Sequence, residues 1–103
     1  MASEEMSVDR SETINLLAVH KPALAARYGV LRLALFGSAA RGTSTATSDV
    51  DVLVAFDGPA TSDRYFGVQF YLEDLLGRPV DLVTEMALRP ELKSRIEREA
   101  AHV

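Results

Sequence analysis

Apolar and polar positions alternate most cleanly over residues 49–56, DVDVLVAF. Val50, Val52 and Val54 fall on one face there, and Asp49, Asp51 and Leu53 on the other, the period of two that marks a strand. The triplet Asp57-Gly58-Pro59 stops the run. Residues 31–36, LRLALF, read as a buried strand with Leu31, Leu33 and Leu35 on a shared face, ended by Gly37. Residues 79–84, PVDLVT, make a third strand. Residues 62–76 carry helical spacing instead, with Tyr65, Phe66, Val68, Phe70, Leu72, Leu75 and Leu76 as the apolar set. Thr61 or Ser62 caps that helix, Asp63 suits its positive end, and Gly77 stands where a C-terminal glycine belongs.

The ends of the chain are also helical. Residues 11–20 place Ile14, Leu17 and Leu16 on one side; Pro22 interrupts, and a second short helix restarts over residues 22–28. A last helix begins at Pro90 with Leu92 and Ile96 four apart, its charges over residues 91–99 facing solvent. Residues 38–42 suit a helical turn, residues 43–48 (TSTATS) a loop, and residues 100–103 a short strand or a frayed end. The order α-β-α-β-α-β-α describes an α/β (α+β) fold with a small mixed sheet of three to four strands flanked by helices. A whole helix between the second and third strands is what a parallel crossover requires, whereas the shorter link after the first favours antiparallel neighbours. Gly37, Asp49 and Asp81 then meet at one edge of the sheet.

With 103 residues the chain fits one small domain, here residues 11–103 behind a flexible segment 1–10. Hydrophobic residues at 48% and charged residues at 25% are an ordinary globular balance. A net charge of −4 lacks the basic excess of a nucleic-acid binder, so no direct nucleic-acid partner is expected. Without cysteine, disulfides and thiolate metal sites are excluded. Nothing approaches the roughly 18–20 apolar residues of a membrane helix, and the polar start lacks a signal-peptide core. These features imply a soluble, cytoplasmic protein with no membrane partner.

Asp49 and Asp51 lie two apart on a strand and project from one face, roughly 7 Å apart at the backbone. Both carboxylates can reach one hard cation such as magnesium, which takes oxygen ligands and commonly shares them with phosphates. Two solvated aspartates would look the same. Asp81 is a lone acid in an apolar strand, where aspartate is depleted. It reads as a third carboxylate beside the pair, as an exposed edge residue, or as a partner of Arg78. Gly37-Ser38 ends a strand before a helical turn, where glycine permits close backbone approach and helical N–H groups face an anion. His20 and His102 read as surface residues without metal-ligand companions.

Together, Leu35-Phe36-Gly37-Ser38-Ala39-Ala40-Arg41-Gly42 and Ser48-Asp49-Val50-Asp51-Val52-Leu53-Val54 resemble the signature of the polymerase-beta-like nucleotidyltransferase superfamily: Gly-Ser, ten residues, then Asp-x-Asp. The small size and the wording of both stretches resemble its minimal nucleotidyltransferase (MNT) branch. The resemblance covers residues 31–83, and residues 88–103 resemble the family's usual ending. It implies that Gly37 and Ser38 hold the nucleotide triphosphate with Arg41 and Gly42 completing the motif, although Arg41 equally suits a clasp to an acidic neighbour. It implies that Asp49, Asp51 and Asp81 are catalytic and bind magnesium, two ions about 3.5–4 Å apart in such sites, with ATP as substrate.

Minimal members commonly stand beside a HEPN-domain ribonuclease as the antitoxin of a toxin–antitoxin pair. The implied activity is transfer of AMP to a tyrosine hydroxyl of that toxin within a hetero-oligomer. Two other readings stay open: a catalytic subunit of a split small-molecule nucleotidyltransferase, and a non-catalytic antitoxin that neutralises its partner by occlusion.

Overall fold

Strand β2 (Val50–Phe56) lies at the centre of the protein because both of its faces are apolar. Val50, Val52 and Val54 are fully buried on one face, and Leu53 is buried on the other. In the computed structural model, which describes residues 10–37, 40 and 49–103, β2 pairs antiparallel with β1 (Val30–Phe36) and parallel with β3 (Val80–Thr84). A two-residue strand β4 (Ala101–His102) adds antiparallel to the far side of β1, giving the order β3-β2-β1-β4. Of the expected helical turn and loop, residues 38, 39 and 41–48 lie outside the described residues.

Helices α1 (Arg10–Tyr28) and α2 (Ser62–Leu76) supply the cover for the valine face. Leu17 and Leu24 of α1 and Val68 and Leu72 of α2 form one cluster with Val50, Val52, Val54, Leu33, Leu35, Val80 and Leu82. Ala34 and Leu53 are buried but stand outside that cluster, on the reverse face of the sheet. The third helix, α3 (Pro90–Glu99), connects the β3 edge to β4 and buries none of its residues, as its run of charges predicts.

The ends of α2 follow from local chemistry. Thr61 stands in an extended conformation, and its hydroxyl accepts the Arg64 N–H at 3.3 Å. Gly77 takes the left-handed conformation at φ 67° and donates its N–H to the Glu73 carbonyl.

Three expectations need correction. Pro22 does not split the first helix: α1 is continuous over 19 residues with Pro22 inside it. Leu17 and Leu24, seven apart on either side of the proline, are both completely buried. Their shared burial outweighs the roughly 3 kcal/mol that an internal proline costs. Leu31 is not core but 52% exposed. The β1–β2 register slips between Val30 and Arg32, so the buried alternation starts afresh at Leu33. Phe66 and Phe70, whose spacing suits either the core or a partner face, are not core. They are 49% and 62% exposed and stack on each other at 6.2 Å, an aromatic ledge on the outside of α2.

Candidate active site

The mixed sheet brings three separate stretches of chain to one edge. Phe36, the last residue of β1, pairs with Asp51 across the antiparallel ladder. Asp51 in turn pairs with Asp81 across the parallel ladder. In-register neighbours project to the same side, so the two carboxylates stand side by side on the face away from α1 and α2. Asp81 is exposed and Asp51 half-buried. Since β3 is an edge strand, Asp81 carries no burial penalty, and the apolar neighbours that single it out in sequence belong to the other face.

Gly37 follows directly and is held against this pair. It adopts φ +65°, a conformation that favours glycine. A Cβ added there would strike the Asp51 carboxylate oxygen Oδ2. Two independent constraints therefore require glycine, and the second fixes the backbone of Gly37 in contact with the Asp51 side chain. Ser38, Arg41 and Gly42 lie outside the described residues.

Asp49 lies one position before β2, exposed and just beyond the first rung, which pairs Val50 with Val80. The Val50 N–H donates to the Pro79 carbonyl at 3.0 Å, which keeps Asp49 beside the turn at residues 77–79. Arg78 sits on that turn. Burial lowers the pKa of its guanidinium, while the Asp49 charge opposes the shift.

The oxygen donors of Asp51 and Asp81 suit a hard cation. Among the described residues no group of three or more histidine or acidic side chains is already closed around a metal-sized point. The two in-register carboxylates are therefore the part of the expected triad that the strands themselves bring together.

Residues 17–102 match the nucleotidyltransferase domain. The chain belongs to that family. It is similar to a candidate protein adenylyltransferase of Methanocaldococcus jannaschii, 40% identical over 94 residues, covering 90% of this chain and 96% of that protein. The protein adenylyltransferase MntA of Thermococcus cleftensis is 37% identical over 92 residues, covering 89% and 93% of the two chains. Among solved structures, a candidate minimal nucleotidyltransferase superposes with TM-score 0.77 at 40% identity over 90% of this chain and 94% of that one. A toxin–antitoxin structure with AMP-PNP superposes with TM-score 0.65 at 22% identity, covering 92% and 72%; that likeness is one of fold. The nucleotidyltransferase is thus an enzyme with an α+β architecture of mixed sheet and flanking helices.

Sequence reasoning missed several polar contacts that hold the site's surroundings. Glu85, in the 3-10 turn Glu85–Ala87, is buried and takes a two-pronged contact from Arg32, at 2.9 and 3.1 Å. The hydrogen bonds from Arg32 hold the Glu85 carboxyl below its ordinary value, with Lys93 and His102 adding to the effect. His20 is not a plain surface residue, because its Nδ1 lies 2.6 Å from the Tyr71 hydroxyl between α1 and α2. Three side chains of α2 secure β3: the Tyr65 hydroxyl donates to the Leu82 carbonyl, Gln69 donates to the Val80 carbonyl, and Glu73 accepts the Val80 N–H. Only their i, i+4 spacing signals a shared face, and it says nothing of what that face meets.

Proposed function

We propose that this nucleotidyltransferase is a magnesium-dependent protein adenylyltransferase that acts as an antitoxin, moving AMP from ATP to a tyrosine hydroxyl of a partner HEPN ribonuclease. The observation that carries the reading is the in-register pair Asp51–Asp81 beside the close-packed Gly37. Two relatives named for protein adenylyltransferase activity support the choice of a protein acceptor, and the toxin–antitoxin neighbour supports the setting.

In this reading Gly37 and Ser38 hold the triphosphate, with Arg41 and Gly42 on the same turn. Asp49 and Asp51 are the metal ligands, joined by Asp81. Magnesium bound there would neutralise the phosphates and the charge that develops on the attacking and leaving oxygens. The tyrosine oxygen attacks the α-phosphorus, the bond to the pyrophosphate oxygen breaks, and pyrophosphate leaves with the electron pair. Asp81, exposed at the edge strand, takes the phenolic proton. Most of the barrier is removed by positioning and charge neutralisation, and a docked protein partner would supply the orientation of its own tyrosine.

Mixing this protein with a HEPN ribonuclease, ATP and magnesium should add the mass of AMP to the ribonuclease and abolish RNA cleavage. Inhibition without added mass, persisting in the Asp49→Asn, Asp51→Asn double variant, would establish occlusion instead. Label from ATP appearing on a small molecule would assign the chain to a split transferase.

A further inference from the structure

A sheet edge is a row of unpaired backbone N–H and C=O groups on which another chain can pair. The two edges of this sheet are β3 and β4. Shortness blunts β4, which joins only Ala101 and His102 to β1. β3 is longer, and it pairs with β2 from Val80 to Thr84 without a slip, so no bulge twists it away. Its sequence, VDLVT, holds no lysine and no proline. A regular strand of this kind is open to a second one unless something covers it.

Backbone direction decides which groups need cover. The Pro79 carbonyl accepts the Val50 N–H at 3.0 Å, so residue 79 points toward β2, and by alternation Asp81 and Val83 do too. Val80, Leu82 and Thr84 therefore point outward. Side chains of α2 already hold three of these outward groups. Glu73 Oε2 accepts the Val80 N–H at 3.0 Å, Gln69 Nε2 donates to the Val80 carbonyl at 3.2 Å, and the Tyr65 hydroxyl donates to the Leu82 carbonyl at 2.6 Å. The helix and the strand match in pitch. Positions four apart on a helix advance about 6 Å, and outward residues two apart on a strand advance about 6.6 Å. A polar stripe at residues 65, 69 and 73 thus stays in step with the edge, and its polar atoms stand where the backbone of a further strand would lie.

We propose that Tyr65, Gln69 and Glu73 form a guard that closes the β3 edge to strand addition by a second copy of this chain. The guard reaches the edge from the helix-covered side of the sheet, so the opposite face of β3, which carries the exposed Asp81, stays open. Asp81 is itself a second hindrance, because like charges oppose each other across paired strands.

The test is therefore made in an Asp81→Cys background, which removes that charge and places one thiol in a chain that otherwise has no cysteine. Adding Tyr65→Phe, Gln69→Ala and Glu73→Ala should at least double the mass that light scattering measures under reducing conditions. A short bismaleimide should then join the chains in several-fold higher yield than in the background protein. Asp74→Ala, which removes an exposed charge from the same helix and none of the three contacts, should change neither reading. Circular dichroism checks folding; if the triple change does not fold, Gln69→Ala with Glu73→Ala carries the test under the same criteria. A folded variant of unchanged mass would overturn the proposal. A larger mass without the higher cross-link yield would overturn it as well, because association would then use another surface. Efficient cross-linking of the background protein would show the edge open with the guard in place, and association of Asp74→Ala would assign the effect to lost charge; either result sinks the proposal.

Discussion

Replacing Gly37 with alanine adds one methyl group, and the structure says where it goes. At φ +65° an alanine costs about 1–2 kcal/mol relative to glycine. The new Cβ also drives into Asp51 Oδ2 and lies 3.3 Å from that side chain's carboxyl carbon. Overpacking of this kind typically adds about 1–3 kcal/mol. The combined loss, about 2–5 kcal/mol, is a large part of the roughly 5–15 kcal/mol that holds a domain together. The two contributions separate in a double-mutant cycle. In an Asp51→Ala background the carboxylate is gone and Asp51 Cβ lies 3.6 Å away, an ordinary contact. There Gly37→Ala should cost only the conformational part. Urea unfolding of the four proteins measures the difference, about 1–3 kcal/mol of coupling. Equal costs in both backgrounds would refute the contact between Gly37 and Asp51, and with it the claim that this glycine places the site. The cycle also guards against a false inference: loss of nucleotide binding in Gly37→Val alone would not show that the turn touches phosphate, because the same variant displaces Asp51.

Other expectations are independent of that cycle. If the protein binds magnesium and ATP as proposed, the pair should raise Tm, by about 2.7 kcal/mol of stability at one hundred times Kd, and Asp51→Asn should leave the fold intact but abolish that rise; a persisting rise would remove Asp51 from the site. Gly67→Ala should destabilise, although helix propensity alone predicts a gain of about 0.8–1 kcal/mol. The added Cβ lies 2.9 Å from two ring atoms of Tyr28, and overpacking of about 1–3 kcal/mol outweighs the gain; a stabilised variant in urea would show that the ring yields without cost. Glu85→Gln should lower Tm at neutral pH by removing the partner of Arg32. Because folding depresses the Glu85 pKa below its ordinary 4.5, its contribution is complete above that value and disappears as pH falls through the folded value. The Tm gap between the two proteins should therefore close in acid; a gap constant down to pH 3 would refute the ion pair.

Where local chemistry decides, the chain is readable. The limits of α2 follow from Thr61, Asp63 and Gly77, and the strand at β2 from strict alternation. The failures share a cause, which is that a tertiary contact overrides a local rule. Pro22 should end a helix, but Leu17 and Leu24 are worth more together than the proline costs. Leu31 fits an apolar stripe, but a register slip turns it outward. Phe66 and Phe70 carry the largest apolar side chains of α2 and yet lie outside, because Val68 and Leu72 take the core positions. His20 and Glu85 are ordinary polar residues in sequence, and only the neighbours that folding brings, Tyr71 and Arg32, give them structural roles.

The candidate site depends on register more than on composition. Gly37, Asp51 and Asp81 come from three stretches, and they converge because β1 runs against β2 while β3 runs with it. With β1 parallel to β2, Gly37 would lie at the far end of the strand. A slip of one residue between β2 and β3 would turn Asp81 onto the helix-covered face, among Val50, Val52 and Leu82. Val80 and Leu82 prevent that slip by filling the core on either side of Asp81. The Val80 backbone is held again by Gln69 and Glu73, and Leu82 by Tyr65. The polar contacts of α2 therefore do more than join a helix to a strand. They fix which face Asp81 occupies, and so connect residues remote from the carboxylates to the geometry on which any shared cation would depend.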